Sequence, residues 1–556
     1  MALTRRELVR QASALFAMGI GSPSLNALNI EDQIGESGTV AKLTSEFVAR
    51  AESLKPKLNE ISQPARDLVR PVPDPSAFLR WRMEHEGTIE SLDSRRFKAG
   101  QSFIVDFGGH RTGYLSFSIT PIGFNVDAPI RLRITFGEVP GDVAEPLHPY
   151  KGTLSEAWLP EEIITVDYLP QTVRMPRRYA FRYVKVEVIA TSPSYAARFG
   201  DFQAHAVSSA TASVPALSPE FSEKLRRIDE VSLATLRDCM QTVFEDGPRR
   251  DQRLWVGDLR LQALANYASF RNFELVRRCL YLLCAFPRPD GLLHADVFEK
   301  PKPTAAGDVI FDYAALFVAV LADYVKESGD KETGRELWTI GKHQLEICSR
   351  SLDEHGLLIA PKNVWIFIDW QPVLEHTASM HGVLLYSYRR ALELAHELDD
   401  TRAVSAYETL ISKMAAAARA SFYDESQKVF VSGPKRQVSW ASQAWLILAG
   451  VVDKEAGATA LRQVMSDSTA VRPVTPYMYH HVVSALLACG QNQEAVELIE
   501  NYWGAMVLDG ADTFWEVFDP ADSLLSPYRD VHINSFCHAW SCTPCYFLRT
   551  PGLLGR

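Results

Sequence analysis

The sequence predicts a multidomain α and β protein, with an N-terminal antiparallel β-sandwich followed by an (α/α)6 barrel. Three observations lead to this prediction. Over residues 76–215 apolar and polar residues alternate with a period of two, and over 216–556 apolar residues recur every three to four positions. In addition, the chain has 556 residues, which is enough for more than one domain.

The strand prediction rests on short alternating runs that are separated by Gly and Pro turns. Several such runs within about 140 residues are typical of two packed antiparallel sheets. The apolar members of the clearest runs are Leu115, Phe117 and Ile119; Leu132, Ile134 and Phe136; and Val184, Val186 and Val188.

The helical region begins after a short Pro-bounded stretch at 215–219. The period predicts about twelve helices between residues 219 and 548. A dozen helices fit a barrel in which six inner helices are surrounded by six outer ones. An irregular bundle or a solenoid would show the same period. The sequence has no fixed repeat of 30–50 residues, however, which argues against a solenoid.

The N-terminus is predicted to be a targeting segment. Residues 1–28 contain Arg5 and Arg6 followed by a short apolar run, which resembles a twin-arginine export signal. We therefore expect an exported, periplasmic protein, with an amphipathic helix on a cytoplasmic protein as the alternative. Residues 29–75 show no clear period and are predicted to be a linker or N-terminal extension.

Composition excludes several classes of partner. The 58 basic and 68 acidic residues give a net charge of -10, which argues against nucleic acid. No apolar run is long enough to span a membrane. Cys542 and Cys545 lack a second pair at metal-ligand spacing, which argues against a zinc site. We expect no metal or other cofactor. The oligomeric state stays open, a homodimer included.

One loop between helices concentrates charge in a way that suggests chemistry. Three Asp, three Arg and one Trp fall within residues 246–258, where a proline and two glycines restrict the backbone. Such a charged loop is usually a solvated surface. An aromatic ring beside carboxylates and guanidinium groups is, however, what a sugar ring requires. The residues concerned are Asp246, Arg250, Asp251, Trp255 and Asp258.

Three further segments combine aromatic and polar residues. Each has a plain packing interpretation, since single Trp and His residues on apolar helices belong more often to the core than to a site. Two Trp that flank an Asp are less easily explained as packing. The candidates are Trp515 and Glu516, then His538 in the 534–540 segment, and Trp365, Asp369 and Trp370.

The ordered set of motifs resembles the α-L-rhamnosidases of glycoside hydrolase family 78. The 246–258 run is similar to the acidic signature of that family, Trp515-Glu516 to its later Trp-Glu motif, and 534–540 to its C-terminal histidine segment. The upstream motifs Val105-Asp106-Phe107-Gly-Gly, Phe136-Gly-Glu138-Val and Phe181-Arg-Tyr183-Val resemble the β-domain that precedes the family's barrel.

This resemblance covers roughly residues 100–550 and implies a compact two-domain form of the family. It implies a β-sandwich before an (α/α)6 barrel, and inverting hydrolysis that releases terminal α-L-rhamnose from a small rhamnoside or oligosaccharide. Glu516 would be the general base. The candidate substrate-binding residues are Asp246, Arg250, Trp255, Asp258, Trp365, Asp369, Trp370, Trp515 and His538.

The general acid is where the sequence departs from many members of the family. Those members have Asp-Glu where this chain has Asp251-Gln252, and an amide cannot donate a catalytic proton. Other members carry the acid one residue earlier, at the position that corresponds to Asp251. We therefore predict Asp251 as the acid, with Asp246 as the second choice.

Three alternatives remain at this stage. The same barrel could act on a different deoxy-sugar or on a uronide-linked substrate. The chain could be a polysaccharide lyase, or a non-catalytic carbohydrate-binding protein, since Gln252 removes a carboxylate that many relatives use. The sequence does not identify the aglycone.

Overall fold

The computed structural model describes residues 37–362 and 364–550, with side chains from residue 44 onward. The predicted export signal at residues 1–28 lies outside the described residues. Within the described part of the chain, no helix combines the length and the apolar character that crossing a membrane requires.

The first described elements differ from the predicted linker over residues 29–75. Helix α1 (Ser37–Ser53) packs on the helical domain through buried Phe47, and strands β1 (Asn59–Pro64) and β2 (Asp67–Pro73) belong to the sheet. The sheet therefore begins well before residue 76. The sequence did not show this because β1 is an exposed edge strand without apolar alternation.

The N-terminal domain is one antiparallel sheet of nine strands within the described residues, in the order β1-β9-β4-β8-β5-β6. Strands β2 and β7 also pair with β4, and β3 pairs with β2. A short helix, α2 (Pro140–Ala144), follows β5. The remaining strands are β3 (Trp81–Thr88), β4 (Ser102–Gly123), β5 (Ile130–Gly137), β6 (Glu161–Val166), β7 (Gln171–Arg174), β8 (Tyr179–Ala190) and β9 (Tyr195–Ser208).

Strand β4 changes partners along its 22 residues, which lets the sheet enclose a single core. Its first part pairs with β2 and β8, and its second part pairs with β7 and β9. Phe103 from the first part packs against Phe199 of β9, with ring centroids 5.3 Å apart. All nine alternating apolar residues predicted from the sequence are fully buried in this domain.

The C-terminal domain contains twelve α-helices among the described residues. They alternate between amphipathic outer helices and almost fully buried inner ones. These helices are α3 (Glu223–Cys239), α4 (Val256–Tyr267), α5 (Phe273–Cys284), α6 (Phe311–Ser328), α7 (Lys331–Ser349), α8 (Thr377–Glu397), α9 (Thr401–Phe422), α10 (Trp440–Leu448), α11 (Lys454–Ser466), α12 (Pro476–Ala488), α13 (Asn492–Leu508) and α14 (Pro544–Arg549).

The even-numbered helices from α4 to α14 form the inner ring, in which α4 packs beside α6 and the last helix, α14, returns to α4. Every residue of α4 is buried, whereas outer helix α9 buries a single stripe of residues three to four apart. The predicted fold class, an N-terminal antiparallel β-sandwich followed by an (α/α)6 barrel, is confirmed, and the strands of the β-domain form one continuous sheet.

The barrel's connections are unequal at its two ends. Links from inner to outer helices are short, such as residues 268–272 and 329–330, whereas most links from outer to inner helices are long. Because successive helices are antiparallel, all outer-to-inner links emerge at one end of the barrel. The segments 240–255, 350–376 and 509–543 thus meet at one rim, and all of them contain predicted site residues.

Candidate active site

A cavity at this rim collects nine of the eleven predicted site residues. It is lined by carboxylates, one guanidinium group, one imidazole and several aromatic rings. The lining residues are Asp246, Arg250, Asp251, Trp255, Asp258, Ile310, Tyr313, Trp365, Phe367, Trp370, Glu516, Tyr528, His538 and Trp540.

Arg250 links the two residues predicted to be catalytic. Its side chain is 1% exposed, and its guanidinium donates through Nη1 to Oδ2 of Asp251 at 3.3 Å and through Nη2 to Oε2 of Glu516. Its Nε donates to the carbonyl oxygen of Ile533 at 2.8 Å. The planar guanidinium is therefore fixed by three contacts, and the same cation pairs with both carboxylates.

Glu516 receives hydrogen bonds at both carboxylate oxygens. Tyr528 donates its hydroxyl to Oε1, while Oε2 accepts from Arg250. The Tyr528 ring also lies against the guanidinium, 4.5 Å from its centroid to the central carbon of Arg250. Glu516 is thus oriented by two donors that are themselves in contact with each other.

Asp251 sits on an unusual piece of backbone. Both Asp251 and Gln252 adopt left-handed conformations, with φ of 59° and 52°. Such geometry costs about 1–3 kcal/mol per residue and persists only where the surroundings enforce it. The carboxylate of Asp251 lies between Arg250 and Arg253, 3.7 Å from Nη2 of Arg253. The Gln252 amide instead donates to the carbonyl of Pro248 at 2.8 Å.

The other carboxyl groups of the cavity differ in their electrostatics. Burial raises the pKa of Asp246 well above its usual range, and the neighbouring carboxylate of Asp251 raises it further. Burial also raises the pKa of Asp258 to about 8 and lowers the pKa of His538 to about 4. At neutral pH, Asp258 and His538 are therefore both uncharged.

Aromatic rings form the apolar wall of the cavity. Trp365 and Trp370 lie with ring centroids 6.0 Å apart, and Phe367 between them in sequence stacks on Trp540 at 5.5 Å. Trp255 is also buried and lines the cavity. Apolar ring faces opposite carboxylates can hold both the C–H face and the hydroxyls of a sugar.

Two predicted site residues do not line the cavity. The carboxylate of Asp369 is buried, where it accepts from the backbone nitrogen of Val474 and the hydroxyl of Thr475, so it anchors the start of α12. Trp515 turns away from the cavity and stacks on Phe78 of the β-domain, with ring centroids 3.8 Å apart. Adjacent residues point in different directions in these loops, which is why proximity in sequence misled the prediction.

Five lining residues were not predicted. The sequence pattern did not point to Tyr528, because this residue lies in a polar loop without a flanking motif, twelve residues beyond Glu516. Trp540 belonged to the 534–540 segment that the sequence singled out, but its role could not be assigned. The other three are Ile310, Tyr313 and Phe367.

The described residues contain no group of three or more His, Cys, Asp or Glu side chains arranged to hold a metal ion. All eight cysteines fall within the described ranges, where they are buried and carry free thiols.

Comparison with known families matches both domains. Residues 65–206 match the N-terminal domain of the glycosyl hydrolase family 78 α-rhamnosidases, and residues 221–550 match the bacterial α-L-rhamnosidase six-hairpin glycosidase domain. A search of curated proteins gave no significant match.

Solved structures give the same result. A rhamnosidase from Klebsiella oxytoca with rhamnose bound is 44% identical, with a TM-score of 0.88 over 91% of this chain and 98% of that one. The family 78 rhamnosidase of Bacillus sp. GL1 is 22% identical with a TM-score of 0.69, over 84% of this chain and 49% of that one. The α-L-rhamnosidase of Streptomyces avermitilis complexed with L-rhamnose is 15% identical with a TM-score of 0.61, over 89% and 44%.

The similarities to the Bacillus and Streptomyces enzymes concern the fold alone, and this chain spans about half the length of those two chains. The first covers nearly the whole of both chains, and the six-hairpin match spans more than half of this one. The chain is a glycosidase that belongs to the α-L-rhamnosidases of glycoside hydrolase family 78.

Proposed function

We propose that the protein releases terminal α-L-rhamnose from rhamnosides with inversion of the anomeric centre. The observation that most supports hydrolysis of a glycoside is the meeting of Asp251 and Glu516 at Arg250, in one cavity walled by aromatic rings. Inversion follows from the resemblance to the family. The Klebsiella oxytoca rhamnosidase was solved with rhamnose bound, which supports rhamnose as the sugar.

In this mechanism Asp251 is the general acid. Its proton passes to the glycosidic oxygen as the bond from that oxygen to the anomeric carbon breaks. Glu516 is the general base: it takes a proton from a water molecule whose oxygen attacks the anomeric carbon from the opposite face. The proton lost by Asp251 and the one gained by Glu516 balance, and the products are free rhamnose and the aglycone alcohol.

The surrounding groups suit the role of Glu516 and the binding of a sugar. Glu516 accepts from Arg250 and Tyr528, so its oxygens are held in an acceptor role. The uncharged Asp258 and His538 can exchange hydrogen bonds with sugar hydroxyls without placing further charge beside Asp251. Trp365 and Trp370 offer apolar faces to the ring and methyl group of the sugar.

Proton NMR of the product formed first tests this proposal. With para-nitrophenyl α-L-rhamnopyranoside as substrate, β-configured rhamnose should accumulate before mutarotation. Either α-configured rhamnose as the first product or a trapped glycosyl ester on Glu516 would refute inversion, because both indicate a covalent intermediate.

A panel of other nitrophenyl glycosides, assayed in parallel, tests the choice of sugar. A higher kcat/KM for another deoxy-sugar would refute rhamnose as the substrate. An unsaturated product that absorbs in the ultraviolet would indicate a lyase instead.

A further inference from the structure

Arg249 connects the acid loop to the β-domain. It precedes Arg250 and Asp251, but its side chain reaches into the other domain, where it is 1% exposed. Its guanidinium donates to both oxygens of Asp142, at 2.6 and 2.9 Å, and to Oε2 of Glu138 at 3.2 Å. Because water is excluded, this bidentate pair fixes both the position and the orientation of the loop.

Glu138 extends the connection to a second barrel loop. The same Oε2 atom accepts from the backbone nitrogen of Phe536 at 2.8 Å, two residues before His538. Its other oxygen lies 2.9 Å from Nε2 of His110, a residue of β4. Asp142 in turn accepts from the backbone nitrogen of Glu138 at 2.9 Å, so its carboxylate also holds the main chain at Glu138.

Two more ion pairs cross between the domains beside the catalytic segments. Arg178, which immediately precedes β8, donates to Glu245 at 2.6 Å, and Glu245 immediately precedes the acid loop. Arg182 is held by Asp106 at 2.9 and 3.0 Å and donates to Asp512 at 2.7 Å, in the segment that leads to the base. The β-domain motifs of the sequence thus face the barrel's catalytic loops.

The acid loop needs such support. Asp251 and Gln252 hold left-handed backbone conformations, which relax unless neighbouring contacts impose them. Arg249 lies two residues before Asp251 in the chain, and it is the residue nearest to this strained segment that forms a buried ion pair with the β-domain.

We propose that Glu138 and Asp142 of the β-domain are positioning residues for catalysis, which hold Asp251 against the leaving group by fixing Arg249. The proposal rests on the proposed role of Asp251 as the acid. It makes the β-domain a part of the active site's architecture rather than a separate module.

Glu138→Gln tests the proposal, because the amide keeps the shape of the side chain but loses its charge. If the acid is displaced, kcat falls more for substrates whose leaving group needs protonation than for substrates whose leaving group does not. We expect kcat for methyl α-L-rhamnopyranoside to fall roughly 10–100-fold. For the para-nitrophenyl glycoside, kcat should fall roughly threefold or less. A merely structural defect would lower both rates equally, since it reduces only the amount of active enzyme.

Hydrogen exchange provides a readout that does not depend on activity. In Glu138→Gln, exchange at the amides of residues 246–253 should accelerate roughly tenfold or more, since the hydrogen bond from Arg249 loses its charge assistance. If Glu138→Gln does not fold, Glu138→Asp replaces it, because the shorter side chain keeps the charge and loses the reach.

Asp229→Asn is the matched control. Asp229 is also a buried carboxylate paired with an arginine, Arg549, but the pair joins α3 to α14 and does not line the cavity. This variant should lose thermal stability and keep both the ratio of the two kcat values and the exchange of residues 246–253.

The outcomes separate the two proposals. Unchanged exchange of residues 246–253 in the Glu138 variant, or equal loss on the two substrates, would overturn the positioning role. An inactive wild-type enzyme on both rhamnosides would refute the proposed function, and the exchange measurement alone would then decide whether Glu138 holds the loop.

Discussion

The Nε2 atom of His538 lies 3.2 Å from Oδ1 of Asp258, and both side chains are 3% exposed. Burial acts on the two groups in opposite directions, lowering the pKa of the imidazole to about 4 and raising that of the carboxyl to about 8. The pair is therefore uncharged across the neutral range, and the protonated carboxyl can donate to the imidazole.

We expect the contribution of Asp258 to the free energy of unfolding to decrease as pH rises from 6.5 to 8. In this window the folded Asp258 keeps a proton that the unfolded chain has lost, so the stability it contributes declines. Below pH 6.5 the lowered pKa of His538 opposes this trend, because the unfolded chain there binds a proton that the folded imidazole does not.

The variant Asp258→Asn tests this, because the amide does not titrate. Relative to the wild type, its free energy of unfolding should improve by about 2 kcal/mol between pH 6.5 and 8, at 1.36 kcal/mol per pH unit. Urea unfolding at the two pH values measures the difference. A difference between the proteins that does not change with pH would contradict the prediction.

Asp251→Asn should lower kcat by about 10²–10⁴-fold and leave rhamnose binding largely intact, because the amide keeps the shape and loses the proton. Steady-state rates on leaving groups of graded acidity provide the measurement, and poor leaving groups should suffer most. Asp246→Asn is the comparison. Near-normal rates of Asp251→Asn on a poor leaving group, with Asp246→Asn inactive, would assign the acid to Asp246 instead.

Arg250→Lys should reduce both sugar binding and kcat, although the charge is kept. The planar guanidinium serves Asp251, Glu516 and the carbonyl of Ile533 at once, and an ammonium group cannot reproduce that fork. We expect kcat/KM to fall by about 10²-fold, a loss typical of displaced catalytic groups. Unchanged kcat and KM would show that the shared guanidinium has no role in turnover.

Tyr528→Phe isolates one donor to Glu516. The variant removes the hydroxyl and keeps the ring that lies against Arg250, so the packing is retained. A hydrogen bond to a charged group is worth about 1.5–3 kcal/mol. We expect kcat to fall by roughly tenfold or more, because the base loses one of the two donors that orient it. An unchanged kcat would show that the Tyr528 hydroxyl does not orient the base.

Much of this protein could be predicted from local sequence pattern. The alternation at Leu115, Phe117 and Ile119 reflects a strand with one buried face, and the structure buries all three. The twelve helices follow from the same logic at a period of 3.6. The dense charge of 246–258 likewise pointed to the loop that lines the cavity, because chemistry of this kind requires particular side chains close together.

Other features depended on contacts between distant segments. Nothing near Tyr528 or Arg249 in sequence indicates a partner, because Glu516 and Asp142 reach them only through the fold. Side-chain direction in irregular loops was equally hidden, so that Trp515 packs against the β-domain while its neighbour Glu516 faces the cavity.

The sequence by itself thus determined the succession of strands and helices beyond residue 76, the position at which the period changes from two to about 3.6, and the loops that carry the reactive side chains. These depend on periodicity and composition, which are local properties of the chain. Only the tertiary structure decided that Arg250 joins Asp251 to Glu516, and that Glu138 reaches Arg249 from the other domain. The physical reason is that hydrogen bonds depend on the distance and orientation of two groups in space, and more than a hundred residues separate Glu138 from Arg249 along the chain.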